Sequence, residues 1–208
     1  MRLADSFYLA AHHDVTGKPR LHHRAIAYGL AAAILAELLY AHRILIDRAS
    51  VTVVDRTPPP DPLARTVLDL LIAEPQHTRV RVWLDFLSQD SREQVGQRLC
   101  RDGTLRREES RRMWRSAVVY VPVDMNVAAW SSIRLSTKIT RGEELTAGDV
   151  ALAGLIAQTG LDTHVLAGAP RAARDYLCQL TDHAWPPLRE LLVQTGIAIG
   201  GGVLSNRT

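Results

Sequence analysis

Residues able to bind a transition metal cluster near the start of the chain: His12, His13, Asp14, His22 and His23. Imidazole combined with carboxylate is zinc or nickel chemistry. Adjacent histidines on a helix, however, point about 100° apart, and His22-His23 would need the chain to fold back onto His12. They read as solvated helix-end and loop histidines, and no metal is expected. A second group lies further along, where Arg106, Arg107, Arg111, Arg112 and Arg115 surround Met113 and Trp114. Guanidinium groups pair with phosphates, of nucleic acid or of lipid headgroups. Glu108 and Glu109 partly cancel that field, so a solvated charged face is the competing reading. Arg92, Arg98 and Arg101 just upstream add to the local positive surplus. Met113, Trp114, Val118, Val119 and Tyr120 are either core strand residues or an exposed apolar patch of the kind that marks a partner or a membrane.

Signatures of catalysis are missing from the sequence. It contains no Gly-x-x-x-x-Gly-Lys phosphate loop, no Gly-x-Ser-x-Gly elbow and no His-Glu-x-x-His pair. A non-enzyme without cofactors is therefore expected. The 208 residues are 47% hydrophobic and 23% charged, the balance of a globular chain and not of a disordered one. Cys100 and Cys178 fit no metal or redox spacing and read as plain thiols in a reducing compartment. A net charge of +3 leaves room for an anionic partner without demanding one.

The elements that must position these groups follow from periodicity and punctuation. Residues 3–13 suit a short helix, and Asp14-Val15-Thr16-Gly17 a turn. Residues 1–20 do not read as a signal peptide, because Asp5, two histidines and Asp14 interrupt them. Residues 24–41 are apolar on nearly every face, the mark of a helix at the centre of a domain. With Tyr28 and Glu37 inside, the stretch falls short of the roughly 20 apolar residues of a membrane span. Runs at 43–46 and 51–54 predict a hairpin with a four-residue loop. Asp61 and Pro62 open a helix over 62–73, and another covers 78–87. Ser91-Arg92-Glu93-Gln94 has the form of a capping box and Gly103 that of a C-terminal cap, giving a helix over 92–102. Residues 113–115 and 117–121 predict the arms of a second hairpin, spanning about 106–121 overall. Helices are expected over 126–137, 147–159, 170–181 and 186–198, and Gly200-Gly201-Gly202 reads as a loose tail.

The order of these elements resembles the Golgi phosphoprotein 3 family. Leu3 through Asp14 and Gly17 are similar to that family's leucine-rich first helix and Asp-x-x-Gly turn. Gly29-Leu30, Leu35, Glu37-Leu38 and Arg43 resemble its central helix and the basic strand after it. Asp61-Pro62-Leu63, Trp83-Leu84, and the run Arg92-Glu93, Leu99, Asp102-Gly103, Leu105 complete the likeness, which is strongest over residues 3–120. The resemblance implies a mainly α fold: a single helical domain around a central apolar helix, with short β-hairpins including one that protrudes. It implies no catalysis and recognition of phosphatidylinositol 4-phosphate or another anionic headgroup by a cytoplasmic protein peripherally associated with the membrane.

The family's headgroup pocket has a Trp before the central helix, an Arg within that helix and two Arg near the start of the capped helix. These positions fall on His22, Ala31, Gln89 and Arg92, so one cation of the set is kept. Arg20, Arg24 and Lys18 are close enough in sequence to His22 to supply others. The resemblance further implies that the hairpin serves self-association and bilayer contact, with Arg111, Arg112, Met113, Trp114, Arg115 and Tyr120 as its working side chains. A homo-oligomer on an anionic lipid surface is the leading expectation. A protein-interaction scaffold that has lost lipid recognition is the second, and nucleic-acid binding a distant third that the small net charge disfavours.

Overall fold

The computed structural model describes residues 1–112 and 115–205, with the backbone alone described at 110–112, 115–117 and 202–205. Helix α1 (Leu3–Ala11) and the central helix α2 (His23–Tyr40) open the chain. A small hairpin follows, β1 (Ile44–Asp47) with β2 (Ser50–Val53), then helices α3 (Pro62–Ala73), α4 (Val80–Leu87) and α5 (Ser91–Arg101). The long antiparallel ribbon β3 (Leu105–Arg112) and β4 (Arg115–Pro122) comes next. Helices α6 (Met125–Arg141), α7 (Ala147–Thr159), α8 (Asp162–Val165), α9 (Arg171–Asp182) and α10 (Pro186–Ser205) complete a mainly helical single domain.

The expected central helix is the core. Ile26, Leu30, Ile34, Leu35, Leu38 and Leu39 are all but inaccessible to solvent, and so are Ala31, Ala32 and Ala33 between them. The alanines leave room for helix backbones to approach from several sides, which is why α2 can have α1, α3, α4, α5, α7 and α10 packed around it. The fold therefore agrees with the resemblance in class and in the position of the apolar helix.

Local differences have physical reasons. The first hairpin turns on two residues, Arg48 and Ala49, both with positive φ, because Ile44–Val53 and Asp47–Ser50 pair fully. Ser91 is no cap: α5 begins beside Asp90, and the Ser91 hydroxyl donates instead to the Ala27 carbonyl of α2 at 2.9 Å. Of the expected first arm at 113–115, residues 113 and 114 lie outside the described residues; the described first strand is the arginine-rich stretch Leu105–Arg112, and Arg115 opens the second. The glycines at 200–202 extend α10 instead of forming a tail.

Charge is buried where four helices meet. Arg98 of α5, 2% exposed, donates to Asp5 of α1 and Asp61 before α3, each at 2.8 Å, and lies 3.5 Å from Glu37 of α2. Glu37 also accepts from the Ala4 backbone at 2.8 Å, and Asp61 caps α3 through the Ala64 amide at 2.9 Å. Arg2 adds a second cation, 3.2 Å from Asp61 and 3.4 Å from Asp5. Arg98 thus belongs to the interior and not to the surface surplus suggested by its sequence neighbours. Burial raises the Asp5 and Glu37 carboxyls above the usual range, with Arg98 opposing it in both. A carboxyl raised in the folded state favours folding while protonated, and loses that contribution as pH climbs through the raised value. Replacing Arg98→Leu strands these carboxylates and is expected to lower stability by about 3–5 kcal/mol at neutral pH. In urea titrations the deficit should shrink as the pH falls and Asp5 and Glu37, raised by burial, take up protons.

Candidate headgroup site

Helix α1 ends at His12, and the chain then makes a closed turn. His13 donates its backbone N–H to Lys18, Gly17 to His13, and Arg20 to Ala11, at 2.8–2.9 Å. This turn presses on the base of the ribbon. Gly17 has φ of +64°, and a Cβ there would stand 2.0 Å from the Tyr120 carbonyl oxygen, so no side chain fits. Tyr120 in turn packs its ring against Gly96 of α5, where a Cβ would come within 2.9 Å of it. Its hydroxyl donates to Glu93 at 2.6 Å. The ribbon base, the 13–20 turn and the first half of α5 are locked together.

Arg92 emerges at this junction. It is half-buried, and its guanidinium faces Tyr8 and His12 of the first helix. The Tyr8 and His12 rings stack at 4.2 Å, and His12 Nδ1 lies 2.7 Å from the Tyr8 carbonyl. A carbonyl only accepts, so Nδ1 holds the proton and Nε2 is left as an acceptor. Among the described residues, His12 Nε2, the Tyr8 hydroxyl and Arg92 Nε have no hydrogen-bond partner, although all three are buried. Burial pushes the His12 imidazole down to about 4; its bond to the Tyr8 carbonyl opposes this, while Arg92 and Arg20 add to it. Burial also raises the Tyr8 phenol, and Arg92 counters part of that.

The remaining candidates are dispersed. His22 is exposed and caps α2, its Nδ1 accepting from the Arg24 amide at 3.3 Å. Its ring lies 4.0 Å from that of His23. Gln89 is exposed in the turn between α4 and α5. Arg24 is already engaged: it donates to the Ala198 carbonyl of α10 at 3.0 Å and to the Tyr28 hydroxyl at 3.3 Å. On the ribbon, Arg106 and Arg107 are exposed, and Arg106 donates to Glu108 at 2.6 Å. Met113 and Trp114 lie outside the described residues, as do the side chains of Arg111, Arg112 and Arg115. Tyr120, expected among the ribbon's working residues, is instead 5% exposed, because it anchors the ribbon to α5. Tyr8 escaped the sequence reading, and His12 read as solvated; their i, i+4 spacing on α1 was the available signal.

The comparison with family models decides the kinship. The model of the Golgi phosphoprotein 3 family matches residues 3–195. The chain belongs to this family. The Golgi phosphoprotein 3 match runs through the ribbon and on into α10, well past the residues where the motifs are clear. The sequence matches none of the curated proteins. Among the described residues, no helix is long and apolar enough to cross a membrane, and no three His, Cys, Asp or Glu side chains are placed to hold a metal ion.

His12 gives the site a pH signature. Its ordinary value of 6.5 is depressed on folding to about 4, so neutral His12 contributes stability above 6.5 that is lost as pH falls toward 4. That is worth about 3 kcal/mol across the window. Urea titrations between these pH values should show the decline, and His12→Gln should remove most of it.

Proposed function

We propose that this Golgi phosphoprotein 3 family member is a non-catalytic, peripheral lipid-surface module that takes an anionic headgroup, of the phosphatidylinositol 4-phosphate kind, beside Arg92. One observation supports this above the rest: three buried polar atoms without hydrogen-bond partners among the described residues, on Tyr8 and His12 of α1 and on Arg92 of α5. Arg92 can only donate, and His12 Nε2 can only accept. The group that completes the cluster must therefore accept hydrogen bonds on one side and donate on the other. A phosphate flanked by hydroxyls does both. Exposed Arg106 and Arg107 on the ribbon, with Arg111, Arg112 and Arg115 beyond them in sequence, supply charge that draws the protein to an anionic leaflet. Each basic residue near such a surface contributes about 1 kcal/mol. The ribbon also serves a homo-oligomer in this reading.

A second reading has its own support. Of the four positions discussed for the pocket, Arg92 alone is a cation, and Arg24 is held by Tyr28 and the Ala198 carbonyl. A scaffold that binds a protein partner and no lipid would tolerate that loss.

Sedimentation with vesicles of phosphatidylcholine, alone or with phosphatidylserine or phosphatidylinositol 4-phosphate, separates the two. Lipid binding predicts retention on the anionic vesicles. It also predicts a fall of about tenfold or more for Arg92→Gln, one charge-assisted contact being worth about 1.5–3 kcal/mol. Absence of binding to every vesicle, with a stable protein partner recovered, sinks the lipid reading in favour of the scaffold.

A further inference from the structure

Helix α6 follows the ribbon directly and has an outer face that the site above does not use. Its inner face is conventional: Ala128, Ser131, Leu135 and Ile139 are buried at helical spacing, and Ser131 meets Ser6 of α1 at 3.3 Å. The opposite face should be polar on a helix that ends at water. Instead Trp130 is 62% exposed and Ile133 58%, with Val127 and Met125 also exposed one turn back and Val123 just before the helix. Trp130 and Ile133 stand three residues apart and so are neighbours on that face. This is a contiguous apolar stripe crowned by an indole, and none of the described residues covers it.

What surrounds the stripe has the chemistry of a headgroup layer. Ile133 borders a cavity of about 260 Å³ whose other walls include Ser132, Ser136, Thr137, Arg20 and His164. The cavity also contains Asp14, paired to Arg20 at 3.6 Å. Helix α6 has three cations, Arg134, Lys138 and Arg141, and no acidic residue from Met125 to Arg141. Asp149 of α7 bonds to both Arg134 and Lys138, and Glu143 stands 3.7 Å from Arg141. Asp124, which caps the start of α6, and exposed Glu144 add two more carboxylates, so the charges around the stripe nearly balance. An apolar stripe with tryptophan, bordered by hydroxyls and paired charges, is the layered order of a membrane interface. The stripe also continues the candidate lipid surface, because the turn that supplies Arg20 to the cavity is the one locked against the ribbon base through Gly17.

We infer that α6 is a second membrane contact, laying Trp130, Ile133 and Val127 into the interface of a bilayer while the adjoining cavity faces the headgroups. This rests on the lipid-surface reading and adds to it a contact that needs no pocket at Arg92. The test uses the full chain with phosphatidylcholine–phosphatidylserine vesicles, with and without bromine on the acyl chains. Trp130→Phe should lose a large part of the bromine quenching of tryptophan emission. The double variant Trp130→Ala, Ile133→Ser should bind about tenfold more weakly, from the lost apolar burial. Both residues are mostly exposed, so circular dichroism should be unchanged. Quenching and binding that survive both variants, while Arg92→Gln still weakens binding, overturn the α6 contact and leave the Arg92 reading standing. Wild-type protein that binds no vesicle defeats both. Variants that dissociate an oligomer in sedimentation equilibrium, with lipid binding intact, assign the stripe to self-association and overturn the inference.

Discussion

A guanidinium taken out of water must find anions, and Arg98 finds three. Isolated, such a charge would cost several kcal/mol to bury. Asp5, Glu37 and Asp61 meet it only if α1, the end of α2 and the start of α3 arrive at one point on α5. The cluster is therefore a geometric condition on the whole first half of the chain. Removing one partner leaves the others unbalanced, which is why such pairs specify an arrangement more surely than they strengthen it. Both ends of α5 are thereby fixed, Arg98 at one and the Ser91 bond to α2 at the other. Arg92 is thereby carried to the side of Tyr8 and His12.

From that junction the surface features follow in order. The 13–20 turn fits under the ribbon because Gly17 lacks a side chain, and the ribbon is seated because Tyr120 lies over Gly96. Helix α6 starts three residues after the ribbon ends, so its exposed stripe cannot be far from the ribbon base. Cation, hydroxyl and apolar groups thus come together on one part of the molecule. They do so through backbone constraints, and not by direct pairing with each other.

Much of this was legible. The 3.6-residue pattern of α2 and the Asp61-Pro62 start of α3 are local signals, and each stands where it points. Ser91 misled because its hydroxyl donates to a carbonyl of α2 and does not accept from an amide of its own helix, which sequence spacing cannot reveal. Arg98 misled for a related reason. In sequence it is one more arginine between Arg92 and Arg101, and only the convergence of three distant carboxylates makes it internal. Tyr120 looked like part of an exposed ribbon because alternation in a strand gives two faces without saying which one meets a helix. The stripe on α6 has apolar residues on both sides of the helix, a pattern that reads as deep burial until the inner face is seen to be Ala128, Ser131, Leu135 and Ile139.

The seating of Gly17 on the Tyr120 carbonyl has a mechanical side. Turn and ribbon base share a contact with no slack, so they move as one body and present their groups at a fixed spacing. A surface that captures one of them meets the next at an effective concentration set by the fold and not by diffusion. Weak contacts arranged in that way add nearly in full, because the orientation entropy has been spent once, during folding. On the lipid-surface proposal, a protein with a single headgroup arginine can then hold a membrane by avidity within one chain, and a change that loosened the turn from the ribbon would weaken attachment without touching any group that meets the lipid.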